Sequence, residues 1–291
     1  MPITAPPLQS QITSRTFANR VKRMALLLGS VYLIAVGYLW AVQDHEVFPG
    51  AFKARPEPVP PLPPAWRPFV VKTSDGLKLD AHELPPASPS VSRWCLYFHG
   101  QWGRAFWDFP KWKVLHDAGF GIIIFNYRGY QGSQGQPSES GIYADADAVL
   151  NWMEQERRIP PDRILVYGHS FGSGPAIDLA ARRQVGALIV DGAYTSIPDC
   201  GAARYPFLPV HLVCRSSFNS LSKISRDRCP LLILHAKYDQ INPVEHARRL
   251  FNSANLPKTL VELEGRHEDF QWIDAERYAE AVQTFASAWI K

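Results

Sequence analysis

The sequence predicts an α/β domain built on a mostly parallel, mixed sheet of about eight strands with helices on both faces. Three observations carry that expectation. Short apolar runs recur at 94–98, 122–126, 164–167, 188–190, 231–234 and 259–263. Runs that are apolar throughout, rather than alternating, belong to strands buried on both faces. Helix-length stretches lie between them, near 105–118, 142–156, 171–183, 244–253 and 275–290, and strand–helix alternation produces parallel crossovers. Finally, 69–72 and 77–83 flank Ser74-Asp75-Gly76, a hairpin signal that opens the sheet with an antiparallel pair.

The domain is expected to begin at residue 66, and what precedes it has a different composition. Residues 24–43 read MALLLGSVYLIAVGYLWAVQ, without a charge. At about 1.5 Å per residue such a helix spans roughly 30 Å, the hydrocarbon thickness of a bilayer. Tyr38 and Trp40 sit near its C-terminal end, where aromatic belts lie. Arg15, Arg20, Lys22 and Arg23 precede it, and Asp44 and Glu46 follow. The expectation is a single-pass anchor with residues 1–23 as a basic cytoplasmic tail and the rest on the far side, in a periplasm or lumen. A cleaved signal peptide and an organelle transit peptide are the competing readings. Eight prolines between Pro49 and Pro68 cannot sustain a helix or a ladder, so 44–65 reads as a semi-rigid spacer.

Composition narrows the function. The 291 residues are 46% hydrophobic and 20% charged, enough for a packed core. The net charge is only +4, part of it in the tail, and no basic stripe points to nucleic acid. Cys95, Cys200, Cys214 and Cys229 form no CxxC pair and no zinc-spaced run, so no metal is expected. Cys200 and Cys214 lie in one loop-rich segment and are candidates for a bridge in an oxidising compartment.

The chemistry centres on Gly168-His169-Ser170-Phe171-Gly172, which follows the strand-like run at 164–167 and leads into a helix-like stretch. This is G-x-S-x-G in the strand–turn–helix context that raises a serine above a sheet, with a helix N-terminus facing developing negative charge. A serine hydroxyl needs a base, and the base an orienting acid. Asp239 follows the run at 231–234 and His267 the run at 259–263, so both fall at strand ends, in the chain order Ser, acid, His. Asp191, at another strand end, is the second choice for the acid. His235 breaks the order and reads as a packed neighbour. His169 lies inside the turn and is not expected to serve as base. Backbone N–H groups of Phe171 and Gln101, the latter within His99-Gly100-Gln101-Trp102-Gly103, are the candidate oxyanion donors.

On these motifs the chain resembles the α/β-hydrolase superfamily from residue 66 to the end. Tyr127-Arg128-Gly129-Tyr130-Gln131-Gly132-Ser133 resembles the family's R-G-x-G-x-S loop, with Gln131 where glycine is usual. GHSFGSG at 168–174 and CPLLILHAKYD at 229–239 resemble membrane-anchored lipases of this family acting on monoacylglycerols and lysophospholipids. The resemblance implies a serine hydrolase without a cofactor, supports Ser170, Asp239 and His267 as its triad, and makes 192–226 a small lid. Trp102, Phe106, Trp107, Phe109 and Trp112 beside the oxyanion loop, together with Tyr194, Phe207 and Leu208, are apolar enough to line an acyl pocket. The expected activity is ester hydrolysis on a lipid-like or small ester. A thioesterase and a small-peptide serine peptidase are the alternatives within the class. A catalytically silent, tethered binding module is the alternative outside it.

Overall fold

The computed structural model describes residues 8–52, 65–88, 92–103 and 109–291, in two compact units, 1–43 and Asp44–Lys291. The helix α1 spans Leu8–Val47, its last four residues falling in the second unit, and Asn19–Val47 is long and apolar enough to cross a membrane. None of its most apolar 18-residue window is buried.

The second unit holds one eight-stranded sheet in the order β1-β2-β4-β3-β5-β6-β7-β8. Its strands are β1 (Arg67–Lys72), β2 (Lys78–Leu84), β3 (Trp94–Phe98), β4 (Gly121–Phe125), β5 (Ile164–His169), β6 (Ala187–Asp191), β7 (Leu231–Ala236) and β8 (Lys258–Leu263). β2 runs antiparallel to both β1 and β4, and every other pairing is parallel. The hairpin turns at Gly76, whose φ of 87° suits a residue without a side chain.

Successive residues of a strand face opposite sides, and both sides are dry here. Leu96, Phe98, Ile164 and Val166 point into one core cluster, under α4 (Glu139–Gln155), α5 (Ser173–Arg182) and α8 (Glu245–Ser253). Cys95, Tyr97, Leu165 and Tyr167 point into the other, under α3 (Phe109–Asp117) and α10 (Ala275–Trp289). Double burial is why β3 to β7 read as unbroken apolar runs.

One stretch departs from the expected organisation. Residues 44–52, expected as the start of a spacer, pack within the second unit: Phe48 is 1% exposed and α2 (Pro49–Phe52) follows it. An aromatic side chain next to an apolar core gains more from burial than a proline-containing segment gains from staying extended. Residues 53–64, the body of the proposed spacer, lie outside the described residues. The expected lid between β6 and β7 carries α6 (Ile197–Arg204) and α7 (Val210–Val213). Its two cysteines are free: the Cys200 thiol donates to Asn242 Oδ1 at 3.4 Å, and that of Cys214 to the Ser216 carbonyl at 3.2 Å.

Candidate active site

β5 ends at His169, and the chain turns through Ser170 into a single 3-10 turn before α5 begins. Ser170 has a φ of 50°, a left-handed conformation that costs a non-glycine residue about 1–3 kcal/mol. Crowding on both sides holds it there. A Cβ at Gly168 would lie 2.7 Å from the Gly172 carbonyl oxygen, and one at Gly172 would lie 2.3 Å from the Phe98 carbonyl oxygen. Both glycines of G-x-S-x-G are therefore places where backbone meets backbone. The Ser173 hydroxyl donates to the Ser170 carbonyl at 2.7 Å and closes the turn.

Ser170 Oγ lies 2.7 Å from His267 Nε2, and His267 Nδ1 lies 2.6 Å from Asp239 Oδ2. A carboxylate only accepts, so Nδ1–H donates to it and Nε2 is left to accept from the serine. Asp239 is in turn fixed by its loop: Oδ1 accepts from the backbone N–H of Ile241 at 2.9 Å and of Asn242 at 2.8 Å. Burial works to raise the Asp239 carboxyl, but hydrogen bonds with His235 and His267 outweigh it and hold the group well below the usual carboxylate range. His235, fully buried, donates through Nε2 to the Asn242 carbonyl at 2.7 Å and stands 3.3 Å from Asp239. It is a packed neighbour, as its position suggested. Gly192 clears the way for the base: a Cβ there would meet His267 Cε1 at 2.8 Å.

Asp191, the second choice for the acid, is engaged elsewhere. Its Oδ1 lies 2.5 Å from His169 Nδ1 and 3.0 Å from Lys111 Nζ, and its Oδ2 accepts from the Tyr167 hydroxyl at 2.5 Å. Burial pushes its carboxyl upward, but Lys111 and then His169 override that and keep it ionised. Lys111, 1% exposed, also lies 2.8 Å from His169 Nδ1. His169 is thus held by this network rather than by Ser170. The sequence reading missed Lys111. Its only signal is a basic residue within the run Phe109-Pro110-Lys111-Trp112-Lys113-Val114-Leu115, where helical spacing does not say which lysine turns inward.

The 99–103 loop lies against the turn: a Cβ at Gly100 would be 3.8 Å from Ser170 Cβ. Gly103 N–H donates to the Gly100 carbonyl at 3.2 Å, which folds Gln101 and Trp102 into a tight turn. The Gln101 carbonyl accepts from the Tyr130 hydroxyl at 3.0 Å and from Gly50 N–H at 3.2 Å. Among the expected pocket residues, Tyr194 is 2% exposed and packs behind the turn, its hydroxyl donating to the Phe171 carbonyl at 3.1 Å. Trp112 is buried against Trp66, with ring centroids 5.1 Å apart. Both are supports rather than open walls, because their partners lie inside the core. Phe207 is 88% exposed and Leu208 partly exposed, on the lid surface. Trp102 is partly exposed beside the turn. Phe106, Trp107 and the Phe109 side chain lie outside the described residues.

Residues 96–207 match the model of a family described as the alpha/beta hydrolase fold. The alpha/beta hydrolase domain-containing protein 17B of Xenopus tropicalis is 32% identical over 227 residues, which cover 75% of this chain and 74% of that protein. The chain belongs to the α/β-hydrolase family. An uncharacterized Mycobacterium tuberculosis protein is 32% identical over 263 residues, 88% of this α/β-hydrolase and 92% of that protein. The lysophosphatidylserine lipase ABHD12 of Danio rerio is 32% identical over 186 residues, 57% of this chain and 48% of the lipase. The fold of the Pyrococcus furiosus esterase Pf2001 superposes with a TM-score of 0.69 at 18% identity, covering 82% of this chain and 99% of the esterase.

Proposed function

We propose that this serine ester hydrolase is anchored to a membrane and cleaves lipid-like acyl esters, of the monoacylglycerol or lysophospholipid kind, through Ser170, His267 and Asp239. The observation that carries the reading is the unbroken hydrogen-bond line from Ser170 Oγ through His267 to Asp239. His267 Nε2 takes the proton as Ser170 Oγ attacks the ester carbonyl, and Asp239 holds the imidazole tautomer and stabilises the imidazolium. The Phe171 and Gln101 N–H groups receive the negative oxygen of the tetrahedral intermediate. His267 then protonates the leaving alcohol, and water, deprotonated by the same nitrogen, releases the acid.

Two observations support a lipid-like substrate at a membrane. The chain carries an exposed apolar helical stretch of membrane-spanning length at Asn19–Val47. One relative, similar over part of its length, is a lysophosphatidylserine lipase. Four basic residues before the apolar run favour a cytoplasmic N-terminus and a catalytic domain across the membrane.

A fluorophosphonate probe tests the chemistry. Wild type is expected to be labelled and Ser170→Ala not, with turnover reduced about 10⁴-fold or more. A folded wild-type protein that stays unlabelled even in detergent is a silent module. A series from acetyl to palmitoyl esters, with matched thioesters and aminoacyl amides, tests the substrate. A kcat/KM that does not change with chain length removes the acyl-site reading, and preference for thioester or amide moves the protein to the corresponding class.

A further inference from the structure

We propose that Phe48 and Gly50, which directly follow α1, are positioning residues for the oxyanion loop, so that the opening segment of the second unit sets part of the catalytic geometry. The proposal rests on Phe171 and Gln101 N–H as the oxyanion donors.

Residues 44–52 touch both donor-bearing segments. Phe48 meets the Phe171 ring edge-on, with centroids 5.9 Å apart, and the Phe218 ring at 6.2 Å; Phe218 itself meets Phe171 at 5.0 Å. The Phe171 side chain is thereby enclosed by Phe48, Phe218 and, at 5.8 Å, Tyr127. Two residues on, Gly50 N–H donates to the Gln101 carbonyl, the same oxygen that Tyr130 holds from its own loop. Two donors on one carbonyl fix the orientation of the turn that presents the Gln101 N–H. The approach has no slack: a Cβ at Gly50 would lie 2.6 Å from the Trp102 carbonyl carbon and 2.6 Å from Tyr130 Cε1. Main chain here packs directly on main chain, so a methyl group at position 50 displaces the turn.

Oxyanion stabilisation depends on donors within about 2.7–3.1 Å of the developing charge, and a displacement of about 1 Å costs on the order of 100-fold in rate. A segment that holds both donors contributes to the transition state without touching substrate. Its loss belongs in kcat rather than KM.

The test uses the full-length chain in detergent with a short p-nitrophenyl ester, below the melting temperature of each variant. Gly50→Ala is expected to lower kcat about 10- to 100-fold with KM changed less than about threefold, and to slow fluorophosphonate labelling in parallel. Phe48→Ala is expected to do the same, with Phe48→Leu returning kcat to within about threefold of wild type. Unchanged kcat in Gly50→Ala, or a loss confined to KM, overturns the proposal. Should Gly50→Ala fail to fold, the Phe48→Ala and Phe48→Leu pair decides by the same split. A wild type that is never labelled at Ser170 breaks the catalytic reading itself, visibly before any variant is compared, and the proposal falls with it.

Discussion

Ser170 is held at a φ of 50° by contacts that leave it no relaxed alternative. That strain can be separated from the chemistry. Ser170→Gly removes the hydroxyl and also the Cβ that makes a left-handed conformation unfavourable. It is expected to be inactive yet more stable by about 1 kcal/mol, a rise in Tm of roughly 2–4 °C for a domain of this size. Calorimetry beside Ser170→Ala, which keeps the Cβ, isolates the strain. Gly172 is the opposite case. Its Cβ would sit 2.3 Å from a carbonyl oxygen of β3, so Gly172→Ala is expected to lose labelling and to melt several degrees lower. Asp239→Asn keeps the shape of the acid but reverses the hydrogen-bond polarity that sets the His267 tautomer. Its kcat is expected to fall about 10⁴-fold, checked by steady-state kinetics with labelling as a second readout.

At the scale of elements, the ends of β5, β6 and β7 are joined by two buried charge systems with different tasks. Asp239, on the loop after β7, orients His267, on the loop after β8. Asp191 ties α3, through Lys111, to the nucleophile turn, through His169. Breaking a buried pair leaves a charge without a partner, which costs about 3–5 kcal/mol. Asp191→Asn is therefore expected to destabilise by that order, and adding Lys111→Met is expected to recover part of the loss; denaturant melts of the double-mutant cycle check it. The acid side of stability follows from buried titratable groups. Burial pulls the His99 imidazole down to about 4, below its value of roughly 6.5 in an unfolded chain. The unfolded state then binds the extra proton first, so stability falls as pH drops from about 6.5 to about 4. Asp191 and Asp239 are depressed below an unfolded value near 3.9. Their contribution is intact above about pH 4 and lost only as pH falls through their lowered folded values. Asp227, pushed up to about 8 by burial, opposes the His99 effect because the folded chain binds its proton first between about pH 8 and 4, so urea melts at pH 7, 5 and 3 are expected to change little from pH 7 to 5 and to decline at pH 3.

For the whole molecule, residues 44–52, the end of α1 and the segment after it, are part of the catalytic unit. Removing residues 1–43 leaves Phe48 in the core, whereas removing 1–64 takes it out. The loss of a fully buried phenylalanine is worth about 3–5 kcal/mol, so the shorter chain is expected to melt about 10 °C lower. Thermal unfolding of the two truncated chains in the same buffer makes the comparison. Equal melting temperatures would place the stabilising contacts of the unit elsewhere.

Much of this protein is legible in local sequence. An apolar run buried on both faces, a helix of 3.6-residue period and a turn glycine each leave their mark within a few neighbouring residues. The strand and helix order, the apolar helix and the G-x-S-x-G turn could therefore be read directly. The order of Ser170, Asp239 and His267 could be read only as order. That Asp239, and not Asp191, meets His267 was decided by tertiary structure, since both acids sit past strand ends and differ only in what the neighbouring loops bring near them. Lys111 was invisible because its partner carboxylate lies 80 residues away. Phe48 and Gly50 were read as spacer because prolines surround them, while the surface they fill is assembled from the turn after β5, the lid and the loops after β3 and β4. Patterns that close within one element are written in its own residues; contacts between distant segments exist only once the sheet has brought those segments together.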